Sequence, residues 1–464
     1  NTIAYAQGAR LRHGARDLIR NNAHAKRAVE AIVSNTVGDG ISAHFVRGPQ
    51  GSATAAEDLQ ALAADSLDTT AIDSDGLLDY AGIQALSLQT IASDGEVLVR
   101  RRRRRSSDGF VVPVQFQVME PDYLDTLRDG PVSGGGRIIQ GVEFDAIGRR
   151  RAYWLYRDHP GSRHFRAESR PVPASEIAHV FRVDRPGQVR GIPWAAPVLL
   201  THADFADHEE AELMRRKIAA CFAGFYRETF DTALPGSVTE NGDGDLIDSL
   251  EPGMLYRLPH GSEIVFGNPP TVEGYAEYSS VSLHKIAMGW GVSYEALTGD
   301  LRGVNFSSGK MGRLEFQRNI DRWRETMLLP QLCTVLTGWW LEAAMLSGFE
   351  TEGVRVHHHA PRNAMIDPSR EWRAERDAIR AGQKTLLQSI RESGRDPAEH
   401  LAEIAEGQQM LDELGIVLDS DPRHRTAAGN DVGSSSGGSP GVDEDLAEAI
   451  AERLAMSFNG NGAR

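Results

Sequence analysis

The sequence LHKIAMGWGVSYEALTGDLRGVNFSSGKMGRLEFQRNIDRWRETMLLP, residues 283–330, links two predicted helices through a polar, glycine-containing loop. A short apolar-faced helix enters the loop, Thr298 to Gly309, and a long helix follows from about Ser308 to Leu346. The segment carries side chains that donate hydrogen bonds well: Arg302, Asn305, Ser307, Ser308 and Lys310. It contains no nucleophile–base pair. It therefore predicts a surface that contacts a polar partner, not a catalytic centre.

Chain length and cysteine usage indicate a multi-module protein that needs no disulfides. The chain has 464 residues, enough for two or more modules with sizeable cores. Cys221 and Cys333 are its two cysteines and lie far apart among apolar neighbours. This pattern excludes a disulfide framework and a thiolate metal site, fits a reducing cytoplasm and predicts two buried structural thiols.

Hydropathy and charge argue against a membrane partner and against tight binding of nucleic acid. The N-terminus is polar and basic without an apolar core, so we expect no secretory signal. The most apolar segment, Met327 to Leu341, is too short and too polar to span a bilayer, so we expect a soluble protein with no membrane partner. The formal net charge of −15 argues against a high-affinity nucleic-acid binder but allows DNA to pass without sticking.

The first 190 residues predict an α+β module. Apolar periodicity predicts helices over residues 10–35, 55–67 and 78–92. Strand patterns with turn residues between them predict one hairpin from Glu96–Arg105 and Phe110–Met119, and a second from Arg137–Asp145 and Arg150–Tyr156. Ile177 to Val183 is a further predicted strand.

The remaining chain predicts helices around an acidic insert. A long helix is expected from Pro193 to about Tyr226, and residues 227–273 contain turns, short strands and many carboxylates. Asp367-Pro368 and Asp396-Pro397 are typical helix starts, and the second of these helices should end near Gly415. Residues 420–442 are rich in glycine and serine and predict disorder before a last short helix, Asp443 to Met456.

Two motifs resemble chemical sites, but neither fits the site that it resembles. Gly303 to Lys310, GVNFSSGK, resembles a phosphate-binding loop but has five residues instead of four between its first glycine and Gly-Lys. Met311 follows the lysine where that loop needs serine or threonine, and a helix precedes the segment instead of a strand. We therefore reject a nucleotide site. His357 to His359 should alternate sides of an extended segment, which predicts a solvated run and no metal site. With no catalytic serine or zinc motif either, we expect no enzyme activity and no cofactor.

Arg100 to Arg105 form a six-arginine run on a predicted strand. Alternation sends its members to both faces, so the strand should lie at an edge or meet carboxylates on a neighbour. A solvated edge or a salt-bridge belt between subunits is one interpretation of the run. Direct contact with DNA is the other.

Several segments, in order, resemble the portal proteins of lambda-type tailed bacteriophages. They are RDLIRNNAHAKRAVEAIVSNTVGDGI (16–41), IIQGVEFDAIGRRRAYWLYRDHP (138–160), IAHVFRVDRPGQVRGIPWAAPVL (177–199), LEPGMLYRLPHGSEIVF (250–266), the 283–330 segment and DPSREWRAERDAIRAGQKTLLQSIRESGRDPAEHLAEIAEGQQMLDELGI (367–416). The resemblance spans roughly residues 10–418.

The resemblance implies an α+β portal fold assembled in a ring, usually of twelve subunits, at one vertex of the phage head. By analogy, its parts are a wing (1–192), a stem helix (193–226), a small β-rich clip (227–273), a second stem helix (274–297), a tunnel loop (298–309), a long helix returning to the wing (310–366), a helical crown (367–418) and a disordered tail (419–464).

The same resemblance implies the site residues and partners. Double-stranded DNA would pass the tunnel-loop residues Arg302, Asn305, Ser307, Ser308 and Lys310. The terminase large subunit and the head–tail connector proteins would dock on the acidic clip residues Asp243, Asp245, Asp248 and Glu251. The major capsid protein would surround the ring, which would be assembled in the host cytoplasm and end in the virion. A packaging ATPase and a capsid shell protein are the alternatives, and both lack support in the motifs.

Overall fold

A computed structural model of the chain describes residues 2–49, 51–220, 224–228, 262–266, 274–362, 367–393, 395, 397–416 and 418. The chain divides into two units, residues 1–394 and residues 395–464. Both helices and strands are present in the first unit, which confirms the α+β class. Among the described residues, no helix is long and apolar enough to cross a membrane.

The helices of the first unit are α1 (Thr2–Asn21), α2 (Ala23–Thr36), α3 (Ala53–Ser66), α4 (Tyr80–Asp94), α5 (Leu199–Ala220), α6 (Tyr275–Trp290), α7 (Tyr294–Thr298), α8 (Phe306–Trp323), α9 (Thr334–Leu346), α10 (Pro368–Arg380) and α11 (Leu386–Glu392). The second unit contributes α12 (Pro397–Glu413). Gly415 follows it with a φ of 67°, which confirms the predicted end.

The strands are β1 (Ser42–Arg47), β2 (Glu96–Arg103), β3 (Val114–Met119), β4 (Gly130–Val132), β5 (Gly136–Ile139), β6 (Val142–Phe144), β7 (Arg150–Tyr156), β8 (Ser169–Pro173), β9 (Ile177–Phe181), β10 (Gly224–Glu228), β11 (Ser262–Phe266) and β12 (Val354–His359). They form a three-stranded sheet in the order β3-β2-β9, a five-stranded sheet from β4 to β8 in sequence order, and the antiparallel pairs β1-β12 and β10-β11.

The predicted first helix is two helices. Asn22 interrupts it with extended backbone, and its side chain accepts a hydrogen bond from the N–H of Ala25, which caps α2. The predicted strand 137–145 is likewise divided, because Gln140 and Gly141 both adopt positive φ and turn the chain between β5 and β6. The predicted hairpin of β2 and β3 is confirmed.

β2 is the central strand of its sheet, but β9 pairs with it only as far as Arg100, and Arg101 to Arg103 pair with β3 alone. The predicted edge position is therefore confirmed for these three arginines. The alternative expectation, pairing with carboxylates, is confirmed for two members of the run. Arg101 is buried and contacts Glu342 at 2.5 Å, and Arg103 contacts Glu176 at 3.0 Å. Two further arginines donate hydrogen bonds to glutamines of β3: Arg102 to Gln117 and Arg104 to Gln115.

The histidine run is not the solvated segment that we predict from sequence. It ends strand β12, which pairs with β1 and leaves only His357 exposed. Burial lowers the pKa of His358 and of His359 to about 4, so both are neutral near pH 7. The ring of His359 also packs on that of His44, with 5.0 Å between centroids.

Two hydrophobic clusters hold the first unit together. The larger one joins α2, α4, the three-stranded sheet and the long helical region after residue 306, and contains the fully buried Trp194, Trp290 and Trp340. The smaller one lies between the three-stranded and five-stranded sheets. Trp339 and Trp340 therefore pack in a core. Cys333 is buried, as the sequence predicts, and Cys221 lies outside the described residues.

A buried charge cluster joins the two sheets beside the smaller core. Glu96 is completely buried and accepts hydrogen bonds of 2.8 Å from His179 Nε2, Arg190 Nε and the N–H of Gly191. Arg150, on β7, donates to His179 Nδ1 at 3.0 Å, so the histidine is neutral with its proton on Nε2.

The long helical region differs from a regular α-helix in its middle. α8 and α9 match the predicted span, but residues 324–333 between them form a π-helical segment with Pro330 inside it. Proline has no N–H for the helical ladder, and π turns are the wider alternative to α turns. The helix predicted from Pro193 to about Tyr226 is shorter than expected, because α5 ends at Ala220 and β10 follows.

Candidate functional site

The loop between α7 and α8 is held by contacts on its N-terminal side. The ring of His284, on α6, stacks on that of Tyr294 at the start of α7, with 4.0 Å between centroids and 8° between planes. Arg27, on α2, donates from Nε to the carbonyl of Ala296 at 3.1 Å. The helix that precedes the loop, α7, is therefore fixed to α6 and α2.

The loop begins with a capped turn. Gly299, with a φ of 69°, donates its N–H to the carbonyl of Glu295 and ends α7. The Thr298 hydroxyl closes the same turn with two hydrogen bonds. It donates to the carbonyl of Tyr294 and accepts from the N–H of Asp300 at 3.1 Å. The predicted loop thus starts at the last residue of a helix.

Arg302 is bound to a carboxylate in its own loop. Its Nε and Nη2 donate to the two oxygens of Asp300 at 3.0 and 2.9 Å, and its N–H donates at 2.9 Å. These bonds lower the pKa of Asp300 to about 2, so the pair stays ionised near neutral pH. The side chain of Arg302 is 93% exposed, but its charge is locally balanced.

Asn305 and Ser308 form a capping box that starts α8. The N–H of Ser308 donates to Asn305 Oδ1 at 2.8 Å, and the N–H of Asn305 donates to Ser308 Oγ at 3.1 Å. Ser307, Ser308 and Lys310 therefore lie in the first turns of α8, which begins at Phe306, two residues before the predicted start at about Ser308. The side-chain oxygens of Asn305 and Ser308 already accept hydrogen bonds from backbone N–H groups.

Lys310 is the cation of this segment that forms no ion pair among the described residues. It is exposed, and so are the apolar Leu301 and Met311 on either side of the capping box. Between Thr298 and Lys310 the charged residues are Asp300, Arg302 and Lys310, which leaves one net positive charge. The segment therefore presents a weakly cationic, partly apolar surface.

The acidic docking residues predicted in the insert, Asp243, Asp245, Asp248 and Glu251, lie outside the described residues. Strands β10 and β11 pair antiparallel, with Gly224 opposite Phe266 and Glu228 opposite Ser262. This pairing joins the end of the first predicted stem helix to the end of the insert.

Sequence reasoning missed a cluster that combines carboxylates with a histidine. Ligand atoms of Glu120, Asp122 and His159 lie within 4.8 Å of one another. Arg16 contacts this group, with its Nη2 at 3.0 Å from Glu120 and 2.5 Å from Asp122, and it also bonds Asp94. The guanidinium already supplies the positive charge that the carboxylates require, so the cluster ties α1 to the sheet.

Residues 1–324 match the family model described as "Phage portal protein, lambda family". The chain belongs to the lambda family of phage portal proteins. The portal protein is therefore a virion component of the head–tail connection, and its family is structural. This assignment removes the packaging ATPase and the capsid shell protein as alternatives.

Proteins similar to this chain come from a phage, a gene transfer agent and a bacterium. The portal protein is similar to a probable portal protein of Halomonas phage phiHAP-1, with 28% identity over 439 residues, covering 89% of this chain and 83% of the relative. It also resembles a subunit in the neck of a native gene transfer agent particle computed with C12 symmetry, with 14% identity, a TM-score of 0.45 and coverage of 82% and 91%. An HK97-family portal protein from Corynebacterium diphtheriae matches with 10% identity, a TM-score of 0.33 and coverage of 78% and 97%.

Proposed function

We propose that this portal protein forms a ring of about twelve subunits whose channel conveys double-stranded DNA into and out of the phage head. The segment Thr298–Lys310 would face the channel. The observation that supports this most is the segment itself: it is exposed, partly apolar and weakly cationic, and it is fixed at both ends by helix caps. A loop held in this way keeps its position against a moving polymer.

The charge balance of the segment suits passage better than capture. Affinity for DNA comes largely from neutralised phosphates, so a strongly cationic ring would hold the genome in place. The Asp300–Arg302 pair leaves one unpaired positive charge per subunit instead of two. A ring of such loops attracts the phosphate backbone weakly, and the acidic chain around it opposes tight binding.

We further assign the parts of the chain on this basis. Residues 1–192 form the wing, 193–226 and 274–297 the stem, 227–273 the clip, 310–366 the long helix and its return to the wing, and 367–418 the crown. The terminase large subunit and the connector proteins dock on the clip, the major capsid protein surrounds the ring, and assembly takes place in the host cytoplasm. The portal protein itself catalyses no reaction.

Electron microscopy of the purified full-length chain tests the ring. We expect annular particles with a central hole and rotational symmetry, and no ATP hydrolysis by the same preparation. Particles without a hole at any protein concentration would refute the ring, and steady ATP turnover would refute the non-catalytic role.

A pair of substitutions with opposite effects tests the channel loop. Asp300→Asn releases Arg302 and adds positive charge, whereas Lys310→Gln removes the unpaired charge. Purified rings should therefore bind short double-stranded DNA more tightly with the first variant and more weakly with the second, and the difference should shrink as salt rises.

The matched control is Arg170→Gln. Arg170 is an exposed arginine of β8 that pairs with Glu168, two residues before it, as Arg302 pairs with Asp300. It should leave DNA binding unchanged. If all three variants bind DNA like the wild-type rings, Thr298–Lys310 is not the segment that meets the DNA.

A further inference from the structure

Three arginines at alternate positions of the arginine run share one face of the three-stranded sheet. Side chains alternate between the two faces of a strand, and Arg101 points towards α9, where it contacts Glu342. The arginines on either side of it in sequence therefore point to the opposite face, about 7 Å apart along the strand. We call this set the arginine ladder: Arg100, Arg102 and Arg104.

The arginine ladder has no carboxylate bonded to it among the described residues. Arg102 and Arg104 donate to the neutral side chains of Gln117 and Gln115, at 2.9 and 2.7 Å. Arg100 forms no hydrogen bond within the described part of the chain, although its Nε is buried. Burial lowers the pKa of Arg102, and the like charges of the other two arginines lower it further.

One carboxylate near the start of the ladder does not balance its charge. Glu176 forms its ion pair with Arg103, which points to the other face, at 3.0 Å. Its charge also favours the ionised form of Arg100, but burial still lowers the pKa of that arginine. The ladder and Arg103 together carry four positive charges against this one negative charge. Half-buried like charges repel one another, so the ladder suits an anionic partner from outside the subunit.

Helix α3 has a face of the opposite charge. Residues 48–99 contain nine carboxylates and no lysine, arginine or histidine, so nearby residues cannot neutralise this part of the chain. The acidic face of α3 comprises Glu57, Asp58 and Asp65, which are exposed and form no ion pair among the described residues. The exposed Ala61 and Ala64 lie between them, and the buried residues of α3 occupy the other side of the helix. Small side chains between the carboxylates allow another surface to approach closely.

The ladder and the acidic face have similar lengths. Arg100 and Arg104 are four residues apart in an extended chain, which spans about 14 Å. Asp58 and Asp65 are seven residues apart on a helix, which spans about 10 Å. The flexible stems of the arginines can make up the difference. Charges at both ends of the two surfaces can therefore meet at the same time.

The two surfaces lie on different sides of the three-stranded sheet. α9 covers the side opposite to the ladder, where the ring of Trp339 packs on that of Phe116 with 6.1 Å between centroids. α3 is on this side as well, because Trp340 Nε1 donates to Ser66 Oγ at 3.1 Å. The surfaces therefore do not meet within one subunit. One two-fold interface cannot contain both of them, whereas a head-to-tail contact between copies repeats around a closed ring.

We propose that the arginine ladder of one subunit binds the acidic face of α3 in the next copy of this chain. The proposal rests on the proposed ring and names a contact that closes it. Carboxylates at the ends of side chains can reach half-buried guanidinium groups, whereas a stiff DNA duplex meets cations that are exposed, such as Lys310. Complementary charge also suppresses wrong pairings of the same surfaces.

Charge reversal on each side tests this contact in the full-length chain. The ladder variant, Arg102→Glu with Arg104→Glu, should raise the protein concentration needed for half-assembly at least about tenfold, and so should the α3 variant, Asp58→Lys with Asp65→Lys. All four substitutions in one chain restore opposite charges and should return assembly to within about threefold of the wild type. Light scattering coupled to size-exclusion chromatography measures the assembled fraction.

The matched control is Arg137→Glu with Arg170→Glu, which reverses two exposed arginines of β5 and β8 and changes the net charge as the ladder variant does. It should change the half-assembly concentration less than about threefold. Far-ultraviolet circular dichroism confirms that each variant is folded. The α3 variant replaces exposed residues alone, so it tests the contact even if the ladder variant does not fold.

Each other outcome rejects a particular part of the reasoning. If the wild type forms rings and the folded α3 variant assembles at the wild-type concentration, this contact is wrong while the ring stands. Failure of the folded four-substitution variant to recover also overturns the contact. If the ladder variant assembles normally but binds short double-stranded DNA more weakly, the ladder binds phosphate and not α3. If the wild type forms no ring, the proposed function itself has failed.

Discussion

Replacing Glu96 with glutamine removes the negative charge from the buried cluster that joins the two sheets. Glu96 is completely buried, and the guanidinium of Arg190, which it neutralises, is only 3% exposed. Glutamine keeps the size of the side chain but places an amide where a carboxylate accepts three hydrogen bonds. Arg190 would then be a buried cation without its counter-charge.

The size of the effect follows from burial. Removing one partner of a buried ion pair costs about 3–5 kcal/mol, because the other charge remains desolvated. Glu176→Gln is the control on the same sheet, since it breaks the pair with Arg103, whose side chain is 61% exposed. An exposed pair contributes about 0–1 kcal/mol.

The cluster also predicts a loss of stability in acid. Burial lowers the pKa of His179 to about 4, against the opposing effect of its bond to Glu96. The unfolded chain therefore takes up a proton at this histidine between about pH 6.5 and pH 4 and the folded chain does not, so stability falls as pH falls through that window. Burial alone would raise the pKa of Glu96, but Arg190 and His179 hold it well below its usual range. The loss continues below about pH 4.5, where unfolded glutamate is protonated.

Hydrogen–deuterium exchange of the amides in β2 and β9 reads the effect locally, without interference from subunit assembly. At pH 7 we expect Glu96→Gln to speed exchange by about 10²–10⁴-fold and Glu176→Gln by less than about fivefold. The gap between Glu96→Gln and the wild type should narrow below pH 4.5. Equal exchange in the two variants at pH 7 would refute the conclusion that the buried charges hold the sheets together.

Two further predictions concern close packing. Gly95→Ala should lower the free energy of unfolding by more than about 2 kcal/mol, because Gly95 has a φ of 91° and a Cβ there would lie 2.3 Å from the carbonyl carbon of Ile192. Gly76→Ala, at a φ of 72° in open space, isolates the cost of the backbone conformation and should cost about 1–2 kcal/mol in the same thermal denaturation; equal losses would exclude the clash. Burial raises the pKa of the Cys333 thiol to about 12, so iodoacetamide at pH 8 should leave Cys333 unmodified in the folded chain and modify it in denaturant, as measured by peptide mass spectrometry. Labelling of Cys333 in the folded chain would contradict its burial.

Local signals in the sequence predict local structure well. The hairpin of β2 and β3, the cap at Asp367 and the turn at Gly415 all depend on residues a few positions apart. The divided first helix carries a local signal as well, because Asn22 is a good N-cap in the middle of a helical pattern. Apolar periodicity on both sides concealed it.

Contacts between distant parts of the chain could not be predicted in this way. The histidine run lies in a strand because β12 pairs with β1, with Ser42 opposite His359. The arginine run begins at the end of the central part of β2, because β9, far along the chain, pairs with β2 only as far as Arg100. In the candidate site, composition identified the polar side chains, but only the structure reveals that Asp300 neutralises Arg302 and that Asn305 and Ser308 cap a helix.

The π-helical segment before α9 has a consequence for the geometry of the core. Every fourth residue from Phe316 to Ala344 is buried: Phe316, Ile320, Arg324, Leu328, Leu332, Leu336, Trp340 and Ala344. In a regular α-helix, four residues turn by about 400°, so a stripe of this period drifts by about 40° at each step and by about 280° over seven steps. Such a stripe would wind most of the way around the helix and into solvent.

Residues 324–333 counteract that winding, because turns with i→i+5 hydrogen bonds contain more than four residues and rotate the stripe backwards. The π-helical segment therefore offsets the rotation of the two α-helical parts. It keeps the buried residues from Phe316 to Trp340 on the side of the helix that faces the larger hydrophobic cluster. Deleting a single residue within it would rotate the end of the helix at Trp340 by about 100° relative to the end that begins at Phe306. The register of this segment therefore sets the direction in which the end of the long helix at Trp340 faces the larger hydrophobic cluster.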